Sequence, residues 1–252
     1  MFLFVKKIPN ILTLCNLLCG VVGILFLSEG RTVEAAWIVG IALVFDTLDG
    51  VVARLMKATS PLGKELDSLA DVVSFGVLPG LLGFTLIQQQ QGEIAAESMQ
   101  WLAYLPYLAF IIPICAALRL ARFNISASNN SYFTGLPVPP PAIFFAALTL
   151  ICTCSALPYA FQWVLHPYAL IAFAWILSLL MVSSVKMYAI KIDPSTPRKY
   201  IVLAVVILIL MGLMMVFLQY SALPIIISLY VIANILTGCF KCCCAKGCCC
   251  KA

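Results

Sequence analysis

FDTLDGVVARLMKATSPLGKELDSLADVVSF, residues 45–75, places four aspartates in a stretch that is otherwise apolar enough to cross a membrane: Asp46, Asp49, Asp67 and Asp71. A carboxylate near hydrocarbon costs several kcal/mol unless it is paired, hydrated or bound to a metal ion. The stretch must therefore contain a functional arrangement that offsets this cost.

The composition predicts an all-α fold, a polytopic membrane bundle. Hydrophobic residues form 63% of the 252-residue chain and charged residues 10%, against about 45–50% and 25% in soluble domains. The apolar runs are continuous rather than alternating, which excludes a barrel wall. About eight transmembrane helices of roughly 20 residues are expected, at 11–28, 35–56, 66–88, 99–118, 140–158, 167–185, 200–219 and 222–238, with a kink at Pro79-Gly80 in the third.

The basic residues predict the orientation of the bundle. If the N-terminus is cytoplasmic, fourteen lysines and arginines lie on the cytoplasmic side and only Arg31 lies on the other. This bias follows the positive-inside rule and places the aspartates toward the cytoplasm, at the cell inner membrane if the chain is bacterial. The net charge of +5 is then explained by topology and lipid headgroups, and no nucleic-acid partner is expected.

The spacing of the aspartates predicts one acidic cleft. Asp46, Asp49, Gly50, Ala53 and Arg54 share one helix face, and so do Gly63, Asp67 and Asp71. The turn-forming KATSPLG lies between the two segments, so two antiparallel helices are expected to present the four carboxylates to each other. Hard divalent cations would relieve the repulsion, and two Mg²⁺ or Mn²⁺ ions would hold a pyrophosphate.

Gly50 and Ala53 would leave room for a bulky group beside the backbone, and Arg54 could neutralise a phosphate. Close helix packing would explain the glycine and the alanine equally well.

The stretch DTLDGVVARLMKATSPLGKELDSLAD has the form D-x2-D-G-x2-A-R-x8-G-x3-D-x3-D. It resembles the signature of the CDP-alcohol phosphatidyltransferases at every fixed position. The resemblance implies that Asp46, Asp49, Asp67 and Asp71 bind two divalent metals and that Asp71 is also the general base. It further implies that Gly50, Ala53, Arg54 and Gly63 face the CDP group.

Two further stretches resemble the phosphatidylserine synthase branch of that family. They are IPNILTLCNLLCG at 8–20 and RLARFN at 119–124, the latter followed by FTGLPVPPPA at 133–142. The branch implies CDP-diacylglycerol and L-serine as substrates. Membrane lipids and a second copy of the chain are further candidate partners. Another acceptor, such as glycerol phosphate or inositol, is the first alternative. A cation transporter that uses the carboxylates as an ion path is the second.

Other polar residues are candidates for substrate contacts. Asn10, Thr13 and Asn16 share a face of the first helix and could reach the nucleotide, although helix capping would also explain Asn10. Four cations could bind the lipid phosphate or the serine carboxylate: Arg119, Arg122, Lys186 and Lys191. Anchoring at the membrane surface is the alternative for all four.

The sequence predicts two regions, a membrane domain at 1–238 and a cytoplasmic tail at 239–252. The tail, CFKCCCAKGCCCKA, contains seven of the twelve cysteines. A reducing cytoplasm argues against a disulfide framework there. Disorder, S-acylation and metal binding remain open for the tail.

Overall fold

The computed structural model describes residues 8–56, 60–92, 100–126, 135–154, 163–183 and 223–232. Across these ranges the chain is helical and contains no strand, which confirms the all-α prediction. Helix α1 is Ile8–Ser28, α2 is Thr32–Leu55, α3 is Pro61–Asp71, and a π-helical segment, Val72–Val77, leads directly into α4, Leu78–Gly92. A 3₁₀ segment, Gln100–Phe110, leads into α5, Ile111–Ser126, and then follow α6, Pro139–Cys154, α7, Pro167–Val182, and α8, Leu223–Ile232.

Four helical stretches are long and apolar enough to cross a membrane: Ile8–Ser28, Thr32–Leu55, Pro61–Gln91 and Ala103–Ile125. Helices α6, α7 and α8 are apolar but shorter. The predicted span at 200–219 lies outside the described residues, and so does the tail at 239–252. The total of eight spans therefore stays a prediction.

The start of the second acid-bearing segment has the local chemistry that the sequence indicates. Ser60 is the N-cap of α3, and its Oγ accepts a hydrogen bond of 3.0 Å from the Gly63 backbone N–H. Pro61 occupies the first turn, where its missing N–H costs no helical hydrogen bond. Helix α3 therefore begins at a fixed position, which sets the direction of Asp67 and Asp71.

The irregularity in the third span lies immediately before Pro79. The Leu78 N–H donates to the carbonyl oxygen of Val73, five residues earlier, so the backbone there is π-helical. Pro79 and Gly80 lie in the first turn of α4, and the helix continues through them. Asp71 is the last residue of α3 before this wider turn, and single π-helical turns often occur at functional sites.

Helix α1 connects the two acid-bearing helices. Helices α2 and α3 both pack chiefly against α1 rather than against each other. A Cβ atom on Gly20 would lie 3.0 Å from the backbone N and Cα of Ser74, so the glycine permits close approach of α1 to the π-helical segment. Helix α1 thus packs against both acid-bearing helices, a contribution that the expectation of two facing helices did not include.

The apolar core includes side chains of the π-helical segment, α4 and α6. Phe75, Leu78, Leu82 and Phe145 are fully or almost fully buried. Large apolar side chains on the outer faces of α1 and α2 stay exposed, as Leu18 does at 60%. Such faces suit contact with lipid tails, where exposure of apolar side chains carries no cost.

Candidate active site

The predicted carboxylates converge in the structure. Oxygen atoms from Asp46, Asp49 and Asp67 all lie within 4.8 Å of one another. Asp46 and Asp49 lie about one turn apart on α2, and Asp67 lies on α3. Residues on two helices therefore form one oxygen-rich cluster.

Asp71 and Asp49 are the two most buried of the four aspartates. The residues are 9% and 6% exposed, respectively. Asp71 lies close enough to interact electrostatically with Asp46, Asp67 and Asp49. The structure thus brings together all four aspartates that the sequence singled out, and we call these four the acidic cluster.

A polar face of α1 orients two members of the acidic cluster. The Thr13 hydroxyl lies 2.6 Å from Asp49 Oδ2 and 3.1 Å from the Pro9 carbonyl oxygen. Because a hydroxyl has one proton and a carboxylate is the stronger acceptor, the bond to Asp49 is the dominant one. Asn16 is fully buried, and its Nδ2 donates to Asp71 Oδ1 at 3.2 Å.

These two contacts were not foreseen from the sequence. Thr13 and Asn16 were candidates for the nucleotide, whereas in the structure their side chains contact carboxylates 36 and 55 residues away. Asn10 lies on the same side of α1, and its Oδ1 is close to Gly63, where a Cβ would approach it to 3.0 Å. The only available signal was the shared helix face of the three residues.

The cluster suits a hard divalent cation. Among the described residues, no lysine or arginine forms a salt bridge with any of the four aspartates. Asp67 Oδ1 is buried and has no hydrogen-bond partner in the described part of the chain. Carboxylates that are close together, unpaired and partly unsatisfied repel one another, and oxygen donors are the ligands that Mg²⁺ and Mn²⁺ prefer.

The remaining signature residues line the α2 side of the cluster. A Cβ on Gly50 would meet only Arg54 Nη2, at 4.0 Å, so the surface there is open. Ala53 is half-buried. Arg54 is exposed, and its Nε donates to the Gly50 carbonyl oxygen at 2.9 Å, which holds the guanidinium along its own helix.

The two arginines of α5 have different environments. Arg119 is half-buried, interacts electrostatically with Asp71, and its Nε has no hydrogen-bond partner among the described residues. Arg122 is exposed, and its Nη1 donates to the carbonyl oxygen of Val182 at the end of α7, at 3.1 Å. Arg122 therefore stabilises a helix terminus, whereas Arg119 interacts electrostatically with one member of the acidic cluster. Lys186 and Lys191 lie outside the described residues.

Comparison with known proteins agrees with the geometry. The chain is 32% identical over 233 residues to a CDP-diacylglycerol–serine O-phosphatidyltransferase of Helicobacter pylori. The aligned region covers 92% of this chain and 91% of that protein. It is 33% identical to the enzyme of the same name from Bacillus subtilis over 57% of this chain and 73% of that protein. It is also 34% identical to an archaetidylserine synthase of Methanothermobacter thermautotrophicus over 61% of this chain and 62% of that protein.

The match to a family extends well beyond the acidic signature. Residues 6–178 match the family model of the CDP-alcohol phosphatidyltransferases, and this range contains every helix that contributes to the acidic cluster. The chain belongs to the CDP-alcohol phosphatidyltransferase family.

Proposed function

We propose that the protein transfers the phosphatidyl group of CDP-diacylglycerol to L-serine, which yields phosphatidylserine and CMP. The observation that carries the proposal is the convergence of Asp46, Asp49 and Asp67, with Asp71 beside them, in a membrane-helical chain of this family. The names of the similar proteins support serine as the acceptor alcohol, because each name includes the word serine. The archaeal relative's name indicates a different lipid with the same acceptor.

The acidic cluster is the proposed site for two divalent ions, Mg²⁺ or Mn²⁺, held by its four aspartates. When bound, the ions would supply positive charge that neutralises the pyrophosphate and stabilises the departing CMP. Thr13 and Asn16 support this assignment, since each donates a hydrogen bond to one carboxylate and so fixes its orientation.

Asp71 is the proposed general base. The serine hydroxyl oxygen forms a bond to the β-phosphorus, while the bond from that phosphorus to the bridging oxygen breaks and CMP leaves with the electron pair. The hydroxyl proton passes to a carboxylate oxygen of Asp71. Its enclosed position and its hydrogen bond from Asn16 favour this role, because both restrict the carboxylate to one orientation.

The nucleotide is assigned to the open side of the cluster. Gly50, Ala53 and Gly63 offer small surfaces beside the carboxylates. Arg54 lies next to Gly50, and Asn10 lies next to Gly63. Thr13 and Asn16 stay candidates for the same nucleotide site.

Arg119 is the candidate for the serine carboxylate or the lipid phosphate, since its Nε lies buried without a hydrogen-bond partner in the described ranges. A carboxylate or phosphate oxygen would supply that partner. Arg122, Lys186 and Lys191 remain predicted contacts for the same groups. The cytoplasmic orientation of the site, the two-region division of the chain and the homodimer also remain predictions.

Release of CMP from CDP-diacylglycerol by purified protein tests the proposal. Serine, glycerol phosphate and inositol are offered in turn, with Mg²⁺ or Mn²⁺ present, and the lipid product is identified. We expect phosphatidylserine with serine and little product with the other two alcohols. The matched control, Asp46→Asn, should lose activity while remaining folded. Faster reaction with glycerol phosphate or inositol would overturn serine as the acceptor, and absence of CMP release with all three would favour the transporter alternative.

A further inference from the structure

Asn124 joins the helix that carries Arg119 to the helix that carries Asp67 and Asp71. Its Nδ2 lies 2.9 Å from Ser68 Oγ and 3.2 Å from Glu65 Oε2, both on α3. In the opposite direction, Lys64 Nζ donates to the Asn124 carbonyl oxygen at 3.2 Å. Three hydrogen bonds thus connect the end of α5 to one face of α3.

The directions of these bonds are well defined. The two N–H bonds of the carboxamide have two acceptors, a carboxylate oxygen and a hydroxyl oxygen. The Ser68 hydroxyl donates its own proton to the Lys64 carbonyl oxygen at 3.1 Å, so it is free to accept from Asn124. The amide therefore has one favourable orientation.

This contact lies beside the acidic cluster. Ser68 directly follows Asp67, and Asn124 is five residues beyond Arg119 on α5. Helix α3 is the first part of the helical stretch Pro61–Gln91, and Ser68 lies between its cap at Ser60 and the π-helical segment. The carboxylates that it carries are also repelled by those of α2. A connection at Ser68 resists displacement of Asp67 and Asp71 away from the cluster.

We propose that Asn124 is a positioning residue that fixes α3 against α5, and so sets the separation of Asp67 and Asp71 from the other carboxylates and from Arg119. The proposal rests on the proposed function in one respect, namely that the acidic cluster binds divalent metal. The buried Oδ1 of Asn124 has no hydrogen-bond partner among the described residues, so the amide contributes here through its N–H groups.

The test measures Mn²⁺ binding to the purified full chain through the electron paramagnetic resonance signal of free Mn²⁺. The same samples give thermal unfolding, kcat and the KM for serine. For Asn124→Ala we expect about a tenfold rise in the Mn²⁺ dissociation constant and a comparable fall in kcat, because partners that orient metal ligands typically have effects of this size. Ile114→Ala is the matched control, since this side chain is also on α5 and is 57% exposed.

Ser68→Ala removes the other end of the same contact. Ser68→Ala should also raise the Mn²⁺ dissociation constant. The double variant should bind Mn²⁺ no more weakly than Asn124→Ala alone, because both substitutions break the same connection. Fully additive losses would overturn the proposal. So would a lower unfolding temperature for Asn124→Ala with unchanged Mn²⁺ affinity and kcat, since that pattern describes a purely structural residue.

A second pair of variants keeps the proposal testable if Asn124→Ala does not fold. Asn124→Asp places a carboxylate against Glu65 and should weaken Mn²⁺ binding further. Adding Glu65→Gln returns an N–H donor to the pair and should restore most of the affinity. Failure of this rescue would contradict the proposal. A parent protein that binds Mn²⁺ but transfers nothing to serine would refute the proposed function and leave the positioning role standing.

Discussion

Replacement of Asn16 separates the contribution of carboxylate orientation from that of the carboxylates themselves. Asn16→Leu keeps the number and branching of the side-chain heavy atoms and removes the amide that donates to Asp71 Oδ1 at 3.2 Å. Asn16 is fully buried, so water cannot replace the lost donor without rearrangement. The carboxylate assigned as the base would then lose one of the contacts that fix its direction.

The size of the effect follows from the kind of bond that is lost. A hydrogen bond to a charged group contributes about 1.5–3 kcal/mol. If the bond acts fully in the transition state, that range corresponds to about a 10- to 150-fold loss of kcat/KM. The free energy of unfolding should fall by less than this loss of activity implies. Asn16 Oδ1 is buried without a hydrogen-bond partner in the described chain, and leucine removes that unsatisfied atom. Activity and unfolding temperature should therefore change independently.

CMP release under saturating metal measures kcat/KM, and thermal unfolding in the same detergent measures stability. Thr149→Val is the matched control, since Thr149 is a buried polar residue of α6 whose hydroxyl donates to the Phe145 carbonyl oxygen of its own helix. It should leave kcat/KM within about twofold of the parent. A folded Asn16→Leu variant with a kcat/KM equally close to the parent would refute the assignment of Asn16 as an orienting residue.

Chelation with EDTA should abolish CMP release, and Asp46→Asn or Asp67→Asn should do the same in folded protein; full activity in chelator would contradict the metal assignment. Asp71→Asn should keep CDP-diacylglycerol binding largely intact and lose single-turnover chemistry, whereas Asp46→Asn should weaken nucleotide binding; near-parent turnover by Asp71→Asn would show that another group is the base. A membrane-impermeant thiol reagent applied from the non-cytoplasmic side should add label to Ala95→Cys and none to Asn129→Cys above the parent level, and the reverse pattern would invert the proposed orientation.

The acidic cluster was predictable because its information is local. Asp46 and Asp49 are three residues apart, and Asp67 and Asp71 are four apart, so helical periodicity alone places each pair on one face. The cap at Ser60 is local in the same sense. The contacts of Thr13 and Asn16 were not predictable, because their partners lie 36 and 55 residues away and depend on how α1 packs against the two acid-bearing helices.

The different contacts of the two arginines of α5 could not be predicted from their spacing in the sequence. Arg119 and Arg122 are three residues apart, which on an α-helix is a difference of only about 60° in direction, and both were assigned to the same ligand. Yet Arg119 interacts with Asp71 whereas Arg122 donates to Val182 at the end of α7, because different helices pack on the two sides of α5. A rotation of this size separates a candidate substrate ligand from a helix-capping residue. Substitution of Arg122 should therefore act first on the end of α7, and substitution of Arg119 on the acidic cluster.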